Sequence, residues 1–239
     1  MKKIKERIWA IIPARSGSKG LKEKNIKILN NKPLIYYTIK DAKNSNMFEK
    51  IFVLTDSPKF AKIAKKYGAE IPYLRSKENS KDSATDNDIY IDLFKFLKCK
   101  KISPPNYFVH LCPTLPIRSN NIIKKGINYF FSNKKKGYET MRSVSEMTNP
   151  SYKTVRIINK KLCSILKKDF DLNKLNGPRQ SYEKTYIPNG LIDIIDAKCF
   201  LKRNTTHGKK VMPFIVNQVY VDIHDKNDLS YAKYLLKKK

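Results

Sequence analysis

"IIPARSGSKGLKEKNIKILNNKPLIYYT", Ile11 to Thr38, leaves an apolar strand for a loop with two glycines and five positive charges, then returns to an apolar segment. Small residues let backbone N–H groups approach an anion closely, and the cations offset its charge. The stretch therefore reads as the first strand of an α/β sheet followed by an anion-holding loop. Working outward, "RIWAII" (Arg7 to Ile12), "KIFVLT" (Lys50 to Thr55) and "NYFVHLC" (Asn106 to Cys112) are short, apolar and rich in β-branched and aromatic residues. They predict buried strands. Between them, "PLIYYTIKDAKNS", "SPKFAKIAKKYG" and "DNDIYIDLFKFLK" carry apolar residues at helical spacing. The second opens on Asp56-Ser57-Pro58, a capping residue with proline in the first turn, and closes at Gly68. Strand alternating with helix predicts a mainly parallel sheet covered on both faces, a three-layer α/β/α architecture.

The pattern changes near residue 139. "ETMRSVSE", "KTVRIIN" and "KLCSILK" predict short strands, the last two joined as a hairpin at Asn159-Lys160, and the irregular "DFDLNKLNGPRQSYEKTYIPNG" follows. "LIDIIDAKCF", "KVMPFIVN" and "VYVDIHDKNDLSYAKYLL" then predict strand, strand and a strand-to-helix unit. The organisation expected is a single domain over 1–239 with an inserted arm at about 139–186 that packs on a partner subunit.

Composition narrows the function. The net charge is +29, but 42 lysines stand against 8 arginines and are spread along the whole chain. Nucleic-acid surfaces lean on the planar fork of arginine, so a basic nucleic-acid-binding protein is the weaker reading. No apolar run approaches the roughly 20 residues a membrane span needs, and the N-terminal apolar run lacks a signal-peptide cleavage site. A cytoplasmic location is expected, without membrane attachment. Cys99, Cys112, Cys163 and Cys199 are far apart with no C-x-x-C, which disfavours a zinc or redox pair.

Pro13-Ala14-Arg15-Ser16-Gly17-Ser18-Lys19-Gly20 is neither a Walker A loop nor G-x-G-x-x-G, so a nicotinamide or flavin dinucleotide is disfavoured. Ligands of open α/β sheets bind beyond the carboxyl ends of the strands, which is where this loop lies. The backbone of Ala14, Ser16, Gly17 and Gly20, with Arg15 and Lys19, would hold phosphates.

Taken with "VLTDSPKFAKIAKKYGAEIPYLRS", "CPTLPIRS", "NGPRQSY", "YIPNG" and "VDIHDKNDL", the stretch "ARSGSKGLKEKN" resembles the acylneuraminate cytidylyltransferase family over nearly the whole chain. The resemblance implies a Rossmann-like nucleotidyltransferase fold with a dimerisation arm. It places Arg15 and Lys24 at the triphosphate of CTP and Asn25 at the nucleoside, with Lys19 assisting. "LRSKENSKDSATD" matches the family block that lies against cytosine, at Arg75 and Ser83, with Asp86 where the family often has serine. "HLCPTLPIR" matches "LLQPTSPLR": Thr114 is retained, and Cys112 replaces a glutamine that helps hold the sugar. A thiol lacks the paired donor and acceptor of an amide, so the change bears on which sugar is held. Lys153 and Arg179 fall where the family places two basic residues near the substrate's charged groups, and Asn189-Gly190, expected at the end of a strand, matches the family's "PNG" turn and puts Asn189 at the substrate. Asp222 and His224 occupy the metal-binding "DID" motif, with histidine in place of the second aspartate.

The reaction implied is CTP plus a 2-keto sugar acid giving the CMP-sugar and pyrophosphate, with Mg²⁺ held by Asp222 and His224. The imidazole suits Mn²⁺ better than Mg²⁺. Catalytic weight falls on Arg15, Lys24 and Asp222, and the expected assembly is a homodimer. The acid is sialic-type, with legionaminic, pseudaminic and 3-deoxy-manno-octulosonic acids as alternatives. A nucleotidyltransferase for another sugar phosphate is a further one.

Overall fold

The computed structural model describes residues 4, 6–18, 20–119, 121–165 and 172–238. Lys19 of the anion-holding loop lies outside the described residues. In chain order the elements are β1 (Ile8–Pro13), β2 (Ile28–Leu29), β3 (Lys32–Pro33), α1 (Leu34–Ser45), β4 (Lys50–Leu54) and α2 (Pro58–Lys66). Next come α3 (Asp86–Cys99), β5 (Tyr107–His110), α4 (Ile122–Asn133), β6 (Thr140–Glu146), β7 (Val155–Ile158) and β8 (Lys161–Ser164). The chain ends with β9 (Tyr186–Asp196), α5 (Ala197–Arg203), β10 (Val211–Ile215) and α6 (Lys226–Lys237).

Six strands form one sheet in the order β10-β6-β9-β5-β1-β4. β1 pairs parallel with β4 and β5, while β9 runs antiparallel to β5 with His110 opposite Asp193. Every residue of β1 from Ile8 to Ile12 is buried, so both faces of this strand are covered. Trp9 and Ile11 pack with Phe52, Phe108 and the α3 residues Ile89, Leu93 and Leu97, and α1 touches β1 and β4. This is a three-layer, Rossmann-like α/β fold with a mostly parallel sheet. Truncating the fully buried Trp9 to alanine would cost about 3–5 kcal/mol.

Local signals set the helix ends. Ser57 caps α2 by accepting from Phe60 N–H at 3.3 Å, with Pro58 in the first turn. Thr85 and Asp88 form a reciprocal capping box on α3, and Asp225 and Asp228 do the same on α6. Among the described residues no helix is long and apolar enough to cross a membrane.

The chain divides into two compact units. The larger holds Met1–Ser143, Gly190–Phe214 and Gln218–Lys239; the smaller holds Val144–Asn189 and Ile215–Asn217. Within the smaller unit β7 and β8 form the expected antiparallel hairpin. Both turn residues, Asn159 (φ 48°) and Lys160 (φ 63°), are left-handed, as a type I′ turn requires. Val155, Ile157 and Leu162 of this hairpin are exposed.

Two expectations need correcting. Asn189-Gly190 does not end a strand: it sits inside β9, where Gly190 (φ 66°) bends the backbone. The segment before α6, read as a strand, joins no ladder. Its backbone is fixed instead by Ile223 N–H donating to Thr114 O at 3.0 Å, while Leu21, Val221, Ile223 and Leu229 share one apolar cluster.

Candidate active site

A cleft of about 710 Å³ lies within the larger unit. Pro13 and His110, at the carboxyl ends of β1 and β5, line it, as sheet topology requires. From the predicted set it gathers Arg15, Gly20, Lys24, Asn25, Arg75, Cys112, Thr114, Asp222 and His224.

The loop after β1 is anchored at both ends. Ala14 is fully buried and its N–H donates to Leu54 O at 2.9 Å, so that donor extends the sheet and is not offered to phosphate. Asp56, after β4, accepts from Ser16 N–H at 2.8 Å and Ser16 Oγ at 2.6 Å. Asn25, in a short 3₁₀ turn, donates from Nδ2 to Arg15 O at 2.9 Å, while its Oδ1 is buried without a hydrogen-bond partner among the described residues. A buried, unsatisfied acceptor costs about 1–3 kcal/mol, and a ligand N–H or O–H would relieve that cost. Gly20 is required by close approach: a Cβ there would lie 2.7 Å from His224 O.

Arg15 Nη1 lies 2.6 Å from Asp82 Oδ1, a pair only about a third exposed on each side. Arg75 is buried and bonds through Nη2 to Asn79 O, and burial pushes its pKa down from the usual arginine value. Gly17 and Ser83 line a separate depression of about 640 Å³ with Lys81 and Asp82.

On the other side of β1, Thr114 Oγ1 donates to Asp222 Oδ1 at 2.5 Å, and Cys112 Sγ lies 3.1 Å from the same hydroxyl. Burial, helped by the Asp222 carboxylate, pushes the Cys112 thiol up and keeps it protonated. His224 Nε2 lies 3.2 Å from Asp222 Oδ2. Thus Asp222 and His224 do converge, although a loop and not a strand brings them together. Beneath them Arg118 is buried and donates to Leu191 O, Thr38 Oγ1, Leu115 O and Cys112 O at 2.6–3.2 Å. Its charge is spent on holding the loop after β5.

Lys153, Arg179 and Asn189 belong to the smaller unit. There Lys153 Nζ donates to Gly177 O at 2.6 Å, Asn189 Nδ2 donates to Ser145 Oγ at 2.9 Å, and Arg179 opens an exposed 3₁₀ turn.

Residues 9–198 match the family model described as cytidylyltransferase. The chain belongs to the cytidylyltransferase family. Among the relatives of this chain is the N-acylneuraminate cytidylyltransferase of Escherichia coli, 34% identical over 99% of this chain and 54% of that protein. The chain thus spans about half the length of that relative. It covers 94% of the CMP-N,N'-diacetyllegionaminic acid synthase of Legionella pneumophila, at 31% identity over 95% of its own length. Among solved structures, CMP:2-keto-3-deoxy-manno-octonic acid synthetase complexed with CTP superposes with a TM-score of 0.68. At 13% identity, covering 97% of this chain and 99% of that one, it shares the fold.

The cleft also contains Asp82, His110, Arg142 and Asp193, which no motif marks, and Asp86, marked only as a departure from the family's serine. His110 and Asp193 interrupt apolar strands, in "YFVHL" and "LIDIID", and Arg142 is the one charged residue of "TMRSVS". A charged or polar interruption in a buried strand is costly unless partnered, and that was the available signal.

Proposed function

We propose that this chain transfers the cytidylyl group of CTP to the anomeric hydroxyl of a sialic-type 2-keto sugar acid, releasing pyrophosphate. Legionaminic, pseudaminic and 3-deoxy-manno-octulosonic acids are the alternative acceptors. The observation that carries the reading is one cleft with Arg15 and Lys24 after β1, Arg75 after α2, and Thr114 with Asp222 beyond β5. Arg15 and Lys24 suit a triphosphate, Arg75 lies in the block matched to cytosine, and the buried Asn25 Oδ1 suits a donor on the nucleoside.

The anomeric oxygen attacks the α-phosphorus in line. A new P–O bond forms, the bond to the bridging oxygen of pyrophosphate breaks, and the hydroxyl proton is released. No side-chain nucleophile is needed; orientation and charge neutralisation carry the rate. Arg15 and Lys24 offset the charge that grows on pyrophosphate as it leaves.

A divalent cation fits this donor set in a limited way. No group of three or more His, Cys, Asp or Glu side chains forms a cage among the described residues. Mg²⁺ is commonly held by one or two carboxylates together with substrate phosphates, so Asp222 is the residue that would hold it. When bound, it would polarise an α-phosphate oxygen. The imidazole of His224 suits Mn²⁺ better.

CTP is expected to raise Tm more than ATP, GTP or UTP by binding the folded state, and pyrophosphate release is expected only with CTP and a 2-keto acid together. Equal shifts from all four nucleotides would reduce the site to a general triphosphate cradle. The cytoplasm, which supplies CTP, is the proposed location. Two copies are proposed to associate through the smaller unit, whose hairpin exposes Val155, Ile157 and Leu162. Sedimentation at micromolar concentration should show a dimer, and a clean monomer would remove this role from the hairpin.

A further inference from the structure

The sheet order divides the cleft. Arg15 and Lys24 follow β1, and Arg75, after α2, sits beside the end of β4 through its N–H donating to Thr55 O at 2.9 Å, whereas β9 and β6 lie on the opposite side of β5. On that far side the cleft is lined by His110 on β5, Asp193 on β9, Arg142 on β6, and Asp86 at the start of α3. Two carboxylates face an acid substrate there, and Arg142 is the one arginine or lysine among these described residues. A sugar carboxylate entering this end needs a cation, because Arg15, Lys24 and Arg75 serve the nucleotide.

Arg142 is built for that task. Its Nε lies 3.4 Å from Asp193 Oδ2, and Asp193 Oδ1 accepts from Ser143 N–H at 3.2 Å. Its Nη1 lies 2.9 Å from His207 Nε2. Arginine can only donate, so His207 accepts there and carries its proton on Nδ1. Burial and the Arg142 charge push His207 down, in keeping with a neutral ring. The turn bearing His207 is itself fixed. Thr206 N–H donates to Asn87 Oδ1 at 2.9 Å, Gly208 N–H to Thr140 Oγ1 at 3.3 Å, and Lys209 N–H to Glu139 Oε2 at 2.6 Å. The guanidinium is thus gripped from behind while about a third of the side chain (36%) stays exposed. Ordering so mobile a side chain during folding removes that cost from substrate binding.

We propose that Arg142 takes the carboxylate of the acid substrate, with Asp193 and His207 as positioning residues that aim it. The inference rests on the cytidylyltransferase reading and moves this role from Lys153 and Arg179 to a residue of the cleft. The probes are N-acetylneuraminate, N,N'-diacetyllegionaminate and 2-keto-3-deoxy-manno-octonate, tested by calorimetry with CTP-saturated protein and by pyrophosphate release. The tightest is carried forward with its C1 carboxamide. Arg142→Met is expected to weaken the carboxylate about tenfold to hundredfold, leaving KM for CTP and the CTP-induced Tm shift unchanged. Arg142→Lys should recover part of the loss, and Asp193→Asn should lose less than Arg142→Met. With the carboxamide, wild type and Arg142→Met should behave alike. Equal losses on carboxylate and carboxamide would overturn the proposal, as would a loss confined to Lys153→Met. An Arg142→Met protein that no longer responds to CTP would overturn it too if Arg142→Lys, folded and CTP-responsive, binds carboxylate and carboxamide in the wild-type ratio. If none of the three acids binds while CTP does, the acceptor reading fails and this inference with it.

Discussion

Replacing Arg15 with alanine is expected to lower kcat/KM for CTP by about 10²–10³-fold, the cost of deleting one pre-aimed charge from a transition state. Lys24→Ala should fall in the same range. Lys124→Ala, exposed on α4, should change turnover by less than about twofold, as an exposed charge does. The comparison matters because the chain carries +29 overall. If attraction were a general property of that charge, all three variants would lose activity alike and raising the salt would abolish the difference. Arg15 differs from Lys124 in placement: the loop beneath it is tied by Ser16 to Asp56 and by Asn25 to its own carbonyl. Steady-state kinetics at two salt concentrations separates the readings.

Asp222→Ala should remove about 10²–10³-fold or more from kcat while CTP still raises Tm. Thr114 and His224 both lean on this carboxylate, at 2.5 and 3.2 Å, so its loss also frees the two groups beside it. A metal titration of His224→Ala beside wild type then assigns the imidazole. A shift in preference between Mn²⁺ and Mg²⁺ would make it a ligand, and an unchanged requirement would leave Asp222 as the residue that holds the cation. Retained kcat in Asp222→Ala would remove this carboxylate from the reaction.

Much of the architecture was legible because its signals are local. The β1, β4 and β5 strands are buried on both faces and read as continuous apolar runs. Ser57-Pro58 marks the start of α2, and Asn159-Lys160 marks the hairpin turn. The segment holding Asp222 was misread because alternation in "VYVDIH" mimics a strand. Val221 and Ile223 are buried by α6 and the loop after β5 without any ladder. The motif blocks pointed to Arg15, Lys24 and Asn25, but they could not reveal that Arg142, Asp193 and His110 adjoin. That adjacency comes from the order β6-β9-β5 and the pairing of His110 with Asp193, both set by long-range contacts. Local pattern carries no such information.

The pair between Arg15 and Asp82 changes how nucleotide capture should be viewed. On the proposed reading, the cation for the triphosphate already holds a rival anion supplied by the chain itself, so loading would be an exchange of partners. Only the difference between the two grips would then be available to retain the nucleotide. The rival would return as pyrophosphate loosens and hasten its departure. An enzyme that must release a highly charged product on every cycle gains turnover from holding its substrate less tightly than its charge would allow.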